Sequence, residues 1–256
     1  MTTKKRIKSW SFSRLQVFEQ CKRHAKLKFI DRIPEPERPL PPGKTEHAND
    51  RGSRIHKACE DYITHAVETL TPELDCFAEE LKALRDIYVN PDPNAATVTV
   101  EGEWGFDENF LPREYKGAWL LMKADITVQH VPEAITIIDL KTGRKSGNEI
   151  KHARQINLYA GGAFARNLAL EEVVVELWYC DQNDKTSKTI TRDNALRNQA
   201  EWLKKGQQIT STTVFPPNPT LWTCRYCPYN KNGTGDCEVG VVDPQQQQKF
   251  HARRKK

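Results

Sequence analysis

Apolar residues recur at two different periods along this chain of 256 residues, and the switch between them separates helical from strand-forming stretches. Leu15, Phe18, Ala25 and Phe29 share one face of a helix predicted over residues 11–30, with Ser11 or Ser13 as its cap. Ile55, Cys59, Tyr62, Ala66 and Val67 predict a second helix over 51–70, and a third is predicted over 72–88. Between the first two, Pro34, Pro36, Pro39, Pro41 and Pro42 forbid regular structure. After a turn-rich break at 90–94 the period shortens to two. Strands are predicted at 97–106, 117–129 and 134–141, then a helix at 149–167, strands at 172–180 and 186–191, and a helix at 194–209.

This order suits one α/β domain over residues 1–240, made of a helical portion (11–95), a core (96–210) and a closing segment (211–240). Residues 241–256, with four consecutive glutamines and a basic end, read as a loose tail. Lys and Arg number 39 against 34 Asp and Glu, a formal charge of +5, so contact with nucleic acid would rest on local patches. Basic residues cluster at Lys4, Lys5, Arg6 and Lys8 and again at Arg253 to Lys256, where terminal runs of this kind are more often solvated tails than grips. No apolar stretch has the length of a membrane span or the form of a secretory signal, which points to a cytoplasmic protein with no membrane partner. Seven cysteines at uneven spacing then read as thiols or metal ligands rather than as a disulfide framework.

The chemistry concentrates at Asp125 and at Asp139-Leu140-Lys141. The runs 120–128 and 134–140 are joined by a short polar turn and should pair as a hairpin, which brings both acids within reach of one cation. Mg²⁺ and Mn²⁺ favour such hard oxygen ligands, and an ammonium beside them can hold developing negative charge. The bare acid-x-lysine pattern also occurs at Glu80, Glu114 and Glu149, but only Asp139 ends an apolar strand that follows another acid-bearing strand. Singly, Asp125 and Asp139 would also serve as strand-end turn formers, and Lys141 as a solvated charge.

This constellation resembles the PD-(D/E)XK nuclease superfamily, whose core runs helix, three strands, helix, strand in a restriction-endonuclease-like α/β fold. Arg51-Gly52-Ser53-Arg54-Ile55-His56 resembles the glycine-to-histidine motif of the RecB-like branch, and Gln155 with Tyr159 its Gln-x-x-x-Tyr motif. The resemblance implies that His56, Asp125, Asp139 and the Leu140 carbonyl hold Mg²⁺ or Mn²⁺. It further implies that Lys141 acts on water and the transition state, while Gln155 and Tyr159 position the DNA strand. Ala124 stands where the superfamily name has proline, and Asp139 where glutamate is commoner. Arg144, Lys145, Lys151 and Arg154 could neutralise phosphates or form a solvated helix edge.

Cys224, Cys227 and Cys237 form a trio, with Cys21 as a distant fourth. This arrangement resembles the iron-sulfur nuclease domains of AddB-type recombination nucleases and of CRISPR-adaptation nucleases, in which a 4Fe-4S cluster joins the chain ends. Four thiolates also suit a structural Zn²⁺. Lys22 follows Cys21 where many relatives have proline, which should leave the first helix unbroken. Cys59, Cys76 and Cys180 fall within apolar patterns and read as buried thiols.

The function implied is a metal-dependent exonuclease acting on DNA that is single-stranded or has free ends, in recombination, repair or phage DNA metabolism. A structure-specific endonuclease, or the nuclease subunit of a complex with a helicase or recombination partner, keeps the same site. A non-catalytic nucleic-acid-binding iron-sulfur protein is the reading from another class.

Overall fold

The computed structural model describes residues 5–37, 40, 42–90, 92 and 94–240. Lys4, Pro39, Pro41, parts of the 90–94 turn and the tail from residue 241 lie outside them. The chain divides into two compact units, Leu40–Leu203 and, from its two ends, Met1–Pro39 with Lys204–Lys256. Seven α-helices and six strands are present among the described residues, in the mixed α/β architecture expected of a restriction-endonuclease-like core.

In the unit Leu40–Leu203 a six-stranded sheet has the order β2-β1-β3-β4-β5-β6. Its strands are β1 (Thr97–Phe106), β2 (Pro112–Arg113), β3 (Leu120–Val131), β4 (Ala134–Lys141), β5 (Glu172–Tyr179) and β6 (Asp184–Thr191). β3 and β4 pair antiparallel, as their short polar connection dictates. β4 and β5 are parallel, so a crossover must join them, and α5 (Glu149–Arg166) supplies it. α3 (Ala48–Ile63) and α4 (Ala78–Tyr88) pack on the sheet through Ile55, Cys59, Leu81 and Leu84, which join Val98, Ile126, Ile138 and Trp178 in one apolar cluster. α5 comes so close that a methyl group at Gly162 would stand 2.7 Å from the Met122 sulfur. Cys59 and Cys180 are buried in the cluster, and Cys76 is partly buried against it.

The second predicted helix stops at Ile63 instead of continuing to residue 70. Thr64 Oγ1 takes the Glu60 carbonyl and His65 turns left-handed at φ 62°. The buried Arg85 guanidinium then donates to the Tyr62 carbonyl, in the last turn of the helix, and to the Val67 carbonyl beyond it. The third helix opens as a 3₁₀ segment, Pro72–Phe77, which proline at its first position favours.

In the other unit the first helix departs from expectation. It is two helices, α1 (Phe12–Gln20) and α2 (Lys22–Phe29), with Cys21 between them in extended backbone (φ −159°, ψ 113°). No proline is needed for the break: Cys21 N–H still bonds Val17 O, while Ala25 N–H reaches back to Cys21 O, so one residue both closes α1 and opens α2. Ser11 caps α1 by accepting from Arg14 N–H, as its position suggested. The N-terminal and C-terminal segments of this unit meet directly. Asn218 Nδ2 donates to Gln20 O, Tyr229 Oη donates to Ile33 O, and Leu27, Tyr229 and Cys237 form a small core. α6 (Arg192–Ser211) spans the division between the units, and the short α7 (Leu221–Arg225) carries Cys224, the first of the cysteine trio.

Candidate active site

The site lies where the sheet's ladders open. The β3/β4 ladder runs from Val131/Ala134 to Ile126/Ile138, and the next rung would pair Asp125 with Asp139. Instead, Asp125 Oδ2 accepts the Leu140 N–H at 2.8 Å, so a side chain takes the place of a backbone partner. Asp125 Oδ1 faces His56 Nδ1 at 3.3 Å, which ties α3 to the same point. The β1/β3 ladder also skips a rung here, between Val100/Ile126 and Gly102/Ala124. The missing residue, Glu101, adopts φ 52°, a left-handed conformation that costs a non-glycine residue on the order of 1–3 kcal/mol.

That kink sets the Glu101 carboxylate beside the others. His56, Glu101 and Asp125 are the one group of three or more potential metal ligands among the described residues whose donor atoms lie within 4.8 Å of one another. Two carboxylates at this separation repel unless positive charge stands between them. Lys123 pairs with Glu101, and His56 with Asp125. An open cleft reaches the three donors past Ser53, Lys57 and Lys123.

Asp139 and Lys141 belong to a second, more enclosed chain. Asp139 is buried at 3% exposure and forms an ion pair with Lys141. Gln155, from α5, donates through Nε2 to Asp139 Oδ1 and accepts from Lys141 Nζ, both at 2.9 Å. Tyr159, one helical turn on, lies 3.3 Å from Gln155 Nε2 and donates to the Lys123 carbonyl at 2.9 Å. Helical spacing of four thus puts Gln155 and Tyr159 on one face, and that face is turned to protein groups. The start of α3 is fastened nearby, since Arg51 bonds both carboxylate oxygens of Asp181 and the Thr142 carbonyl.

Burial pushes the Asp139 carboxyl up to about 6, with Lys141 opposing and Asp125 adding to the rise. Burial works against a charged His56, but its bond to Asp125 and the fields of Asp125, Asp139 and Glu101 outweigh it and raise the imidazole above 6.5. Burial, with Asp139 adding, raises the Tyr159 phenol, so it remains a neutral donor.

The structure therefore brings His56 and Asp125 into contact, joins Asp139, Lys141, Gln155 and Tyr159 in one polar chain, and links the two sets through the Leu140 N–H. Of the flanking bases, Lys145 is paired with Asp184 and Arg154 stands over the Trp202 ring. Glu101 was absent from the expected set. Its only signal in the sequence is an acid within the strand pattern Thr97-Val98-Thr99-Val100, and the register with Asp125 appears only once β1 and β3 are paired.

Cys21, Cys224, Cys227 and Cys237 all line one small cavity within the unit formed by the chain ends. Backbone N–H groups of Asn218, Tyr229 and Val239 are directed at the sulfurs of Cys21, Cys227 and Cys237. No three of these sulfurs lie mutually within 4.8 Å. Burial raises the Cys227 thiol to about 11 and also raises that of Cys237.

The site thus sets acids at the opened rungs of a mixed sheet, with a lysine two residues beyond one of them. Residues 9–231 match the family model of the PD-(D/E)XK nuclease superfamily, and the chain belongs to that superfamily. A candidate exonuclease from Eubacterium rectale shares 14% identity, with 87% of this chain and 88% of that one covered at a TM-score of 0.47. An alkaline exonuclease from Laribacter hongkongensis shares 12% identity, with 80% and 87% covered at a TM-score of 0.31. No curated protein matches the chain in sequence. Among the described residues no helix is long and apolar enough to cross a membrane.

Because the folded His56 holds its proton above 6.5, its pairing with Asp125 stabilises the metal-free fold fully below that pH, and the contribution fades as pH rises through the raised value. Following the His56 ring protons by NMR in Asp125→Asn should show the pKa fall below that of the wild type, because burial then meets less opposition. An unchanged titration would mean that Asp125 does not set the charge of His56.

Proposed function

We propose that this chain is a Mg²⁺- or Mn²⁺-dependent deoxyribonuclease of the RecB-like branch that hydrolyses phosphodiester bonds at DNA ends. The observation that carries this reading is the group His56, Glu101 and Asp125 set beside the Asp139–Lys141 pair. Two carboxylates are hard donors that suit Mg²⁺ or Mn²⁺, the His56 imidazole adds a borderline nitrogen, and Asp139 and the Leu140 carbonyl stand as further oxygen donors. When bound, such an ion neutralises charge on a phosphoryl oxygen and makes water a better nucleophile near neutral pH.

The chain's own groups supply the rest. Lys141, held by Gln155 and Asp139, carries a fixed ammonium that orients water and offsets charge gathering on the phosphate. Gln155 and Tyr159 act on the strand indirectly: they fix Asp139, Lys141 and the Lys123 backbone, so that little reorganisation remains when substrate arrives. Action at ends, rather than within a strand, follows from the branch resemblance, with recombination, repair or phage DNA metabolism as the setting.

In the other unit we assign the four cysteines to a 4Fe-4S cluster that braces the chain ends. Backbone N–H groups aimed at three of the sulfurs stabilise thiolates, which thiol burial alone would disfavour.

Asp139→Ala and Lys141→Ala should each lower Mg²⁺-dependent cleavage of linear DNA by at least about a hundredfold while the far-ultraviolet circular dichroism stays unchanged. Cleavage at the wild-type rate by either variant refutes the assignment. Equal digestion of closed circular DNA replaces the exonuclease with an endonuclease, and DNA binding with no metal-stimulated cleavage restores the non-catalytic reading.

Protein purified without oxygen should be brown and absorb broadly near ~400 nm. Cys224→Ala should cost solubility and thermal stability more than metal-ion catalysis. A colourless protein carrying one zinc rejects the cluster.

A further inference from the structure

The outer face of α7 presents two large aromatic rings to solvent. Trp222 is 81% exposed and Tyr226 68% exposed, and the Arg225 guanidinium lies 5.4 Å from the centre of the Tyr226 ring. Trp222 and Tyr226 are four residues apart, so they project from the same side of this single turn. The inner face carries Cys224, which is buried against the cysteine cavity.

This turn is held firmly. Thr220 and Thr223 form a capping box at its start, Thr223 Oγ1 also bonds the Asn218 carbonyl, and the buried Asn230 donates through Nδ2 to the Cys224 carbonyl at 2.6 Å. Two large rings are therefore presented to solvent on a rigid mount, with a cation beside them.

We infer that Trp222, Arg225 and Tyr226 form a stacking platform for the bases of unpaired DNA. Flat π-faces with a guanidinium are the elements by which proteins hold single strands without reading sequence, since every base has a face to stack and every linkage a negative charge. The arginine argues against the other occupants. A second copy docked face to face would set Arg225 against Arg225, and an apolar protein patch would have to desolvate the guanidinium without a partner. The inference rests on the chain acting on DNA, the reading proposed above, but not on its cleaving DNA.

The test uses the full-length protein as purified, with no added divalent ion so that no substrate is consumed, and a fluorescein-labelled oligothymidylate of twenty nucleotides. Trp222→Ala and Tyr226→Ala should each weaken binding roughly 5- to 100-fold, Trp222→Phe should retain most of the affinity, and Arg225→Gln should reduce the salt dependence by about one counterion. Iron content and melting temperature should match the wild type, because the substituted rings are exposed. Cleavage of a dinucleotide-sized substrate in Mg²⁺ separates the two proposals. Weakened oligonucleotide binding supports the platform whether or not the chain cleaves. Unchanged affinity in the Trp222→Ala Tyr226→Ala double variant overturns it and leaves the nuclease assignment standing. A double variant that loses only self-association, with its affinity for the oligonucleotide intact, overturns it in favour of a protein contact.

Discussion

One carboxylate holds the candidate site in register. Asp125 spends one oxygen on the Leu140 N–H and turns the other to His56, so it joins β3, β4 and α3 where the sheet would otherwise continue as a plain ladder. Two unmade rungs, one on either side of β3, release Glu101 and Asp125 from the regular pleat into the cleft that His56 also lines. Close carboxylates in such a cleft carry a repulsion that the fold tolerates through Lys123, His56 and Lys141. The same carboxylates are what a divalent ion would meet.

Topology explains why the amine and amide arrive at the same place. A parallel pair needs a crossover, and here the crossover helix begins soon after Lys141 and returns to β5. The chain that carries the acid and lysine at the end of β4 must therefore lay α5 back over the sheet, and the first three turns of α5 bring Gln155 to Asp139 and Lys141, with Tyr159 behind it. Gln155 uses both ends of its amide, donating to the acid and accepting from the amine, which fixes two groups of opposite charge with one uncharged side chain. Arg51, by bonding the Thr142 carbonyl, keeps the start of α3 against the loop that leaves the site.

Strand identity was legible where alternation and turn chemistry agreed. Residues 97–106 and 134–141 fall on β1 and β4 with the expected limits, and 149 opens α5. Helix ends were not, because the decisive partners are distant: the Arg85 guanidinium stops α3 from across a connection of some twenty residues. Cys21 interrupts a helix that its own sequence gives no reason to break, since the extended conformation is fixed by packing in a unit built from both chain ends. Glu101 escaped notice for a related reason. Its role depends on the register of β1 with β3 and on a left-handed backbone that glycine, not glutamate, would have advertised.

Divalent-ion binding tests the account at its centre, independently of any substrate. Mn²⁺ titrated into the intact protein and followed by electron paramagnetic resonance should be bound by the wild type, and at least about tenfold more weakly by Asp125→Asn and by Glu101→Gln. Equal Mn²⁺ affinity in Asp125→Asn would contradict the view that this carboxylate organises a metal centre.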